Sequence, residues 1–356
     1  MKILFGLVGI FLSVVIPARA WNAEGHMVVA QVAYNHLEPD VKARCDALIA
    51  VSIPSFTSSS TSTFVTGACW ADDFKSTLGT GIWHYIDIPI SLDGTPTTGV
   101  PPDAFDVVRA IRQCIATLQD PTAGQVTQAI CLRYVIHFVG DIQQPLHCST
   151  AVTAALPGGD AGGNDFDLKG TWSELHALWD AGGGFLTDSV NRPLSATGKT
   201  TISNKVALVE ALYPYDYTVN LNLVPDPMTW AVEGWQVAQT VSYVGVTRNG
   251  TPSAGYLSTA SATTEQRMAA GGHRLADLLN SIMTTNAVTL NSLSVASGGV
   301  AFSWNGLLNR NYTVQWKQDL TDATWNTLTN FTASSNQPIW INDVFVAPHR
   351  FYRVNQ

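Results

Sequence analysis

The stretch His137-Phe-Val-Gly-Asp141-Ile-Gln-Gln-Pro-Leu-His147 constrains this chain more than any other. It places three metal-ligand side chains within eleven residues, at the end of the apolar run Ala129 to Val139. His137 and Asp141 are four apart, so on a helix they stack on one face. Pro145 lacks an N–H and disfavours helical geometry in Gln144, so the helix ends before it. His147 then falls on the turn just past that end, close to Asp141. A carboxylate flanked in this way can bridge two cations, and the remaining ligands must come from elsewhere.

The chain offers them. His176 and Asp180 repeat the four-residue spacing in Leu175-His-Ala-Leu-Trp-Asp180. His26, Asp72 in Cys69-Trp-Ala-Asp-Asp-Phe-Lys75, and His84 in His84-Tyr-Ile-Asp87 complete a set of nitrogen and oxygen donors. Zinc favours such mixed sets, above all where a coordination position stays open. Each residue alone has an ordinary reading: a satisfied polar histidine, a helix-surface pair, an aspartate N-cap. Their joint occurrence is much harder to explain by packing.

Residues 1–20 read as a secretory signal, with Lys2 before the apolar core Ile3 to Ile16 and Ala18-Arg19-Ala20 as a small-x-small cleavage site. The apolar run is too short for a comfortable membrane span. Cleavage after Ala20 makes Trp21 the first residue, and the expected location is secreted or periplasmic, with no stable span after cleavage. Such a compartment is oxidising. Five cysteines leave at least one unpaired, with no readable connectivity.

Helical periodicity predicts helices over Gly25 to Leu37, Pro39 to Val51, Ala68 to Ser76, Asp103 to Leu118, Gln125 to Ile142, Thr171 to Asp180, Lys199 to Leu212, Met228 to Val244 and Thr263 to Met283. The Ser/Thr-rich residues 52–67 read as a loop. After about Thr284 the pattern alternates: Val300 to Trp304, Tyr312 to Trp316, Ile339 to Ile341 and Phe351 to Val354 read as strands. The expected fold is mainly α. It consists of a helical domain over 21–284 and a small accessory β-sandwich over 286–356, similar to fibronectin-type-III modules.

The ordered motifs resemble the zinc-dependent, single-strand-preferring nucleases, the family of mung bean nuclease and its fungal relatives. The pieces that carry the resemblance are Trp21-Asn-Ala-Glu-Gly-His26, Trp70-Ala-Asp72, His84-Tyr-Ile-Asp87, the His137 to His147 stretch, Gly162-Gly-Asn164, Leu175-His-x-x-Trp-Asp180 and Gly271-Gly-His-Arg-Leu-Ala-Asp-Leu-Leu-Asn280. They span roughly Trp21 to Thr284.

The resemblance implies three Zn²⁺ per chain in a phospholipase C/nuclease-type helical fold. Asp72, His84, His137 and Asp141 would hold one. Asp141 would bridge to a second, held also by His26 and by the amine and carbonyl of Trp21. His147, His176 and Asp180 would hold the third. It further implies an endonuclease that hydrolyses single-stranded DNA and RNA to 5′-phosphorylated products, many members also acting on 3′-nucleotides. Asp72 and Asp141 would be central to catalysis. Lys75 would touch the scissile phosphate, with a solvated surface lysine as the equal alternative. Tyr85 would stack on a base, Asp87 would contact its edge and Asn164 would help hold substrate.

Two rivals stand beside this. A zinc phospholipase C of the same fold also starts with Trp, but places its next histidine further on than His26 and uses Glu where Asp180 stands. A non-catalytic exported adhesion protein would have the β unit as its working part. A formal charge of −8 is the wrong sign for gripping nucleic acid through a basic surface; three Zn²⁺ would offset most of it.

Overall fold

The computed structural model describes residues 21–355 apart from 102–103, 121, 216–225, 284–287, 289, 297, 307–310, 335–336 and 345–348. The expected signal segment lies outside the described residues. Among them, no helix is long and apolar enough to cross a membrane.

The helical part is built around one element. Helix α6 (Gln125–Asp141) follows α1 (Ala23–His36), α2 (Pro39–Ile49), α3 (Phe64–Gly67), α4 (Trp70–Leu78) and α5 (Val107–Gln119). Its residues from Cys131 to Asp141 are all buried, mostly apolar side chains with Arg133, His137 and Asp141 among them. Its core neighbours include Ile111 and Leu118 of α5 and Val41 and Leu48 of α2. Among the described residues three further helices follow a short α7 (Leu175–Asp180): α8 (Ala196–Leu212), α9 (Pro227–Val237) and α10 (Ala254–Met283). Gly272 of α10 lets that helix meet α1 closely, since a Cβ there would sit 2.4 Å from Val32 Cβ.

Helix starts follow the expected chemistry. Asn22 caps α1 by accepting from Gly25 N, Asp106 caps α5 and Ser195 caps α8. The segment 52–67, expected as loop, instead forms α3 at its end. There Thr63 and Thr66 make reciprocal side-chain-to-backbone bonds, a capping box that composition alone obscures. Helix α7 is shorter than expected, and α10 starts at Ala254, well before Thr263.

A two-stranded parallel ribbon was not foreseen. Strand β1 (Ile88–Ser91) pairs with β2 (Ser149–Val152), Ile88 opposite Ser149 and Ser91 opposite Val152. Ile86 N also donates to His147 O at 2.8 Å. The ribbon therefore ties the His84 segment to the His147 segment.

The C-terminal residues form two antiparallel sheets. Strands β3 (Leu290–Ala296), β4 (Gly299–Asn305) and β7 (Pro338–Val344) lie in the order β3-β4-β7. Strands β5 (Asn311–Lys317), β6 (Asn326–Thr332) and β8 (Phe351–Asn355) lie in the order β6-β5-β8. Phe302 and Trp304 of the first sheet meet Tyr352 and Tyr312 of the second, each pair with ring centroids 5.4 Å apart. One aromatic core thus lies between the two sheets. All five cysteines are buried thiols, so no disulfide braces the chain.

Candidate metal centre

The expected ligands converge from segments far apart in sequence. His137 and Asp141 come from the last turn of α6, Asp72 from α4, His26 from α1 and His84 from the turn before β1. Asp141 Oδ2 lies 3.1 Å from His84 Nδ1 and 3.2 Å from His137 Nε2. Asp141 Oδ1 lies 3.3 Å from His26 Nε2. The two oxygens of one carboxylate therefore face different histidines. Asp72 Oδ1 completes the group, 3.7 Å from His84 Nδ1 and 3.8 Å from His137 Nε2.

A second group forms beside it. His147 stands on the turn Pro145–Cys148, and α7 supplies His176 and Asp180. His176 Nε2 is 3.5 Å from Asp180 Oδ2, and the His147 and His176 ring centroids are 5.0 Å apart. Three sets of donor atoms each lie within 4.8 Å of one another: His26, Asp72 and His137; His84, His137 and Asp141; His147, His176 and Asp180.

Backbone carbonyls orient three of these rings. His137 Nδ1 bonds to Ala68 O at 2.5 Å, His147 Nδ1 to His84 O at 2.7 Å and His176 Nδ1 to Gly162 O at 2.7 Å. A carbonyl can only accept, so Nδ1 carries a proton in each, and in the neutral ring the lone pair is left on Nε2. The acceptor at His176 depends on Gly162, whose φ is +63° and whose Cβ would lie 2.4 Å from Leu146 O.

The buried polar atoms fit a cation. Neither ring nitrogen of His26 and neither oxygen of Asp141 makes a hydrogen bond, and all are sealed from solvent. Groups of this kind are normally satisfied, so a set of them facing one point calls for a ligand. Burial holds His26 and His84 below the ordinary imidazole range, which keeps them in the neutral, metal-binding form. Burial pushes the Asp72 carboxyl up, but the charges led by His137 and Lys75 outweigh it and hold it at about 2. Asp180 goes the other way. Burial raises it well above the carboxylate range, and the charges of Asp72 and Asp141 raise it further. The two groups thus share one electrostatic site that lacks positive charge at Asp180.

Lys75 is not a solvated surface lysine. It is 7% exposed and donates from Nζ to Asp72 Oδ1 at 2.9 Å. Trp21 is fully buried, its indole N–H donating to Gly140 O at 3.0 Å, while Asn22 N donates to Asp180 O at 3.2 Å. The start of the helical part therefore touches both ligand groups. Tyr85 and Asp87 are half-buried on the segment after His84. Asn164 donates its side-chain amide to Ala161 O at 2.6 Å, within its own loop.

Sequence reasoning passed over Gln144. It is fully buried and donates to Asp180 Oδ1 at 2.8 Å, while its own Oε1 accepts from Leu146 N. Its place between Asp141 and His147 was the available signal. The carbonyls of Ala68, His84 and Gly162 had none.

A match to a family model places this mainly helical chain among the hydrolases acting on nucleic acids. More specifically, it is a member of the S1/P1 nuclease family, which its residues 21–284 match. It is 27% identical to Nuclease PA3 of Penicillium sp and 27% identical to Nuclease P1 of Penicillium citrinum, in each case over 74% of this chain and 97% of the relative. Identity to Endonuclease 4 of Arabidopsis thaliana is 26%, over 75% of this chain and 91% of that protein. The solved structure of Alpha Toxin from Clostridium Absonum is 10% identical and covers 93% of this chain and 83% of its own, with a TM-score of 0.37, too loose to carry an argument.

Proposed function

We propose that this protein is a secreted or periplasmic, zinc-dependent endonuclease. It hydrolyses single-stranded DNA and RNA to 5′-phosphorylated products and removes phosphate from 3′-nucleotides. The observation that carries the reading is Asp141: a fully buried carboxylate without hydrogen bonds, each oxygen facing a different histidine. That arrangement suits a carboxylate shared between two ions.

In this reading Asp72, His84, His137 and Asp141 hold one Zn²⁺. Asp141, His26 and the Trp21 amine and carbonyl hold a second, and His147, His176 and Asp180 a third. When bound, such ions lower the pKa of water towards about 7 and neutralise charge on a phosphoryl group. The chain's own residues do the rest. Lys75 presents its Nζ beside Asp72, where a phosphate oxygen would lie. Tyr85 offers a face for an unpaired base, which every base can use, and Asp87 an acceptor for its edge. The Trp21 amine becomes a donor only after cleavage behind Ala20, so export and activation are one event. Residues 286–356 act as an accessory fibronectin-III-like sandwich.

The test is zinc content per chain on signal-cleaved protein, with single-stranded DNA and phosphatidylcholine hydrolysis measured on the same sample. About three zinc ions and chelator-sensitive DNA cleavage support the reading. Lipid cleavage alone would replace the substrate class, and a zinc-free, inactive protein would overturn the assignment.

A further inference from the structure

A second histidine cluster lies away from the centre, and the family reading does not use it. His36 ends α1, Glu210 lies near the end of α8 and His273 sits in the middle of α10. Their donor atoms lie within 4.8 Å of one another. His36 Nε2 is 2.6 Å from Glu210 Oε1. On α1, His36 is ten residues beyond His26, about 15 Å along the axis.

We propose that His36, Glu210 and His273 form a further zinc site that clamps α1 to α8 and α10. Two imidazoles and one carboxylate are a donor set zinc takes readily, with the fourth position left to water. Zinc bonds of about 2.0–2.2 Å place tetrahedral donors roughly 3.4 Å apart, so shifts of about an ångström bring these three into place.

The surroundings are built to orient the ligands. The Tyr215 ring stacks on His36 at 4.8 Å and meets His273 edge-on at 5.1 Å, and its hydroxyl donates to the Asp277 carboxylate, one turn beyond His273. Asn280 donates to His36 O at 3.0 Å and accepts from Glu38 N at 2.9 Å, pinning the end of α1 to α10. The His36 and Glu210 side chains are 30% and 25% exposed, which gives an ion an entry path, while His273 is fully buried.

The test compares zinc content of the full mature chain with that of a His36→Gln/Glu210→Gln variant. About one zinc ion fewer in the variant, with single-stranded DNA cleavage within twofold of the parent, is the expected result. Equal content overturns the proposal and leaves His36 and Glu210 an ordinary ion pair. If the double variant does not fold, Glu210→Gln alone gives the reading. Roughly tenfold or weaker binding of the last zinc equivalent supports the site, and an unchanged titration overturns it. Because the measurement is a difference between two chains, it stands whether or not the Asp141 centre holds three ions.

Discussion

Gln144 holds Asp180 by a 2.8 Å hydrogen bond inside the protein, and the same side chain closes the turn that presents His147. One residue therefore sets the geometry of two donors in the second ligand group. Supporting partners of this kind typically contribute 10–100-fold to metal affinity. Gln144→Leu should weaken the last-bound zinc at the centre by about that factor, with cleavage recovered in excess zinc. A zinc titration that superimposes on the parent's would remove Gln144 from this role.

Gly162→Ala tests the carbonyl that fixes His176. The position has φ +63°, and the new Cβ would meet Leu146 O at 2.4 Å, a backbone atom that cannot swing aside. The loop must shift, and with it the acceptor of His176 Nδ1. We expect a loss of about 2 kcal/mol or more in urea unfolding, together with loss of zinc from the His147 group. Wild-type stability with full zinc content would show that the loop adapts.

Lys75 is buried against Asp72 and supplies no ligand atom. Lys75→Met should therefore leave zinc content intact and lower the rate of single-stranded DNA cleavage by about 10²-fold, the scale for losing one preorganised charge at a reacting phosphate. Cleavage within twofold of the parent would return Lys75 to a purely structural pairing.

Burial pushes the Cys45 thiol from its ordinary 9.0 up to about 12. The sign is that of an acid whose charged form the fold disfavours. Its contribution to stability is present below pH 9 and is lost as pH rises towards 12. At pH 8 the thiolate fraction is about 10³-fold lower than for a free thiol, and labelling needs the thiolate. An aromatic disulfide reagent should react with Cys45 very slowly in native protein, faster with each added pH unit, and at once in urea. Prompt labelling of Cys45 in the folded protein at pH 8 would contradict its buried placement.

Much of the centre was legible because five of its residues fall in two short motifs. The four-residue spacings of His137/Asp141 and His176/Asp180, together with the stop at Pro145, place candidate donors on one helical face and on the turn beyond. The character of Lys75 was not legible, because its burial comes from helix packing and not from its neighbours in the chain. The capping box at Thr63/Thr66 was hidden by a Ser/Thr-rich stretch whose composition also suits a loop. The β1/β2 ribbon was hidden because each strand has only four residues.

The sequence by itself determined the helical class of most of residues 21–284, four of the strands after 290 and the candidate donors of the Asp141 centre, because periodicity and residue chemistry are local properties. Only the tertiary structure decided that Asp141 turns its two oxygens to different histidines, that backbone carbonyls of Ala68, His84 and Gly162 choose the tautomers, and that His36, Glu210 and His273 meet. Those relationships join residues up to 237 positions apart. They depend on how α1, α6, α8 and α10 pack, which no local pattern encodes.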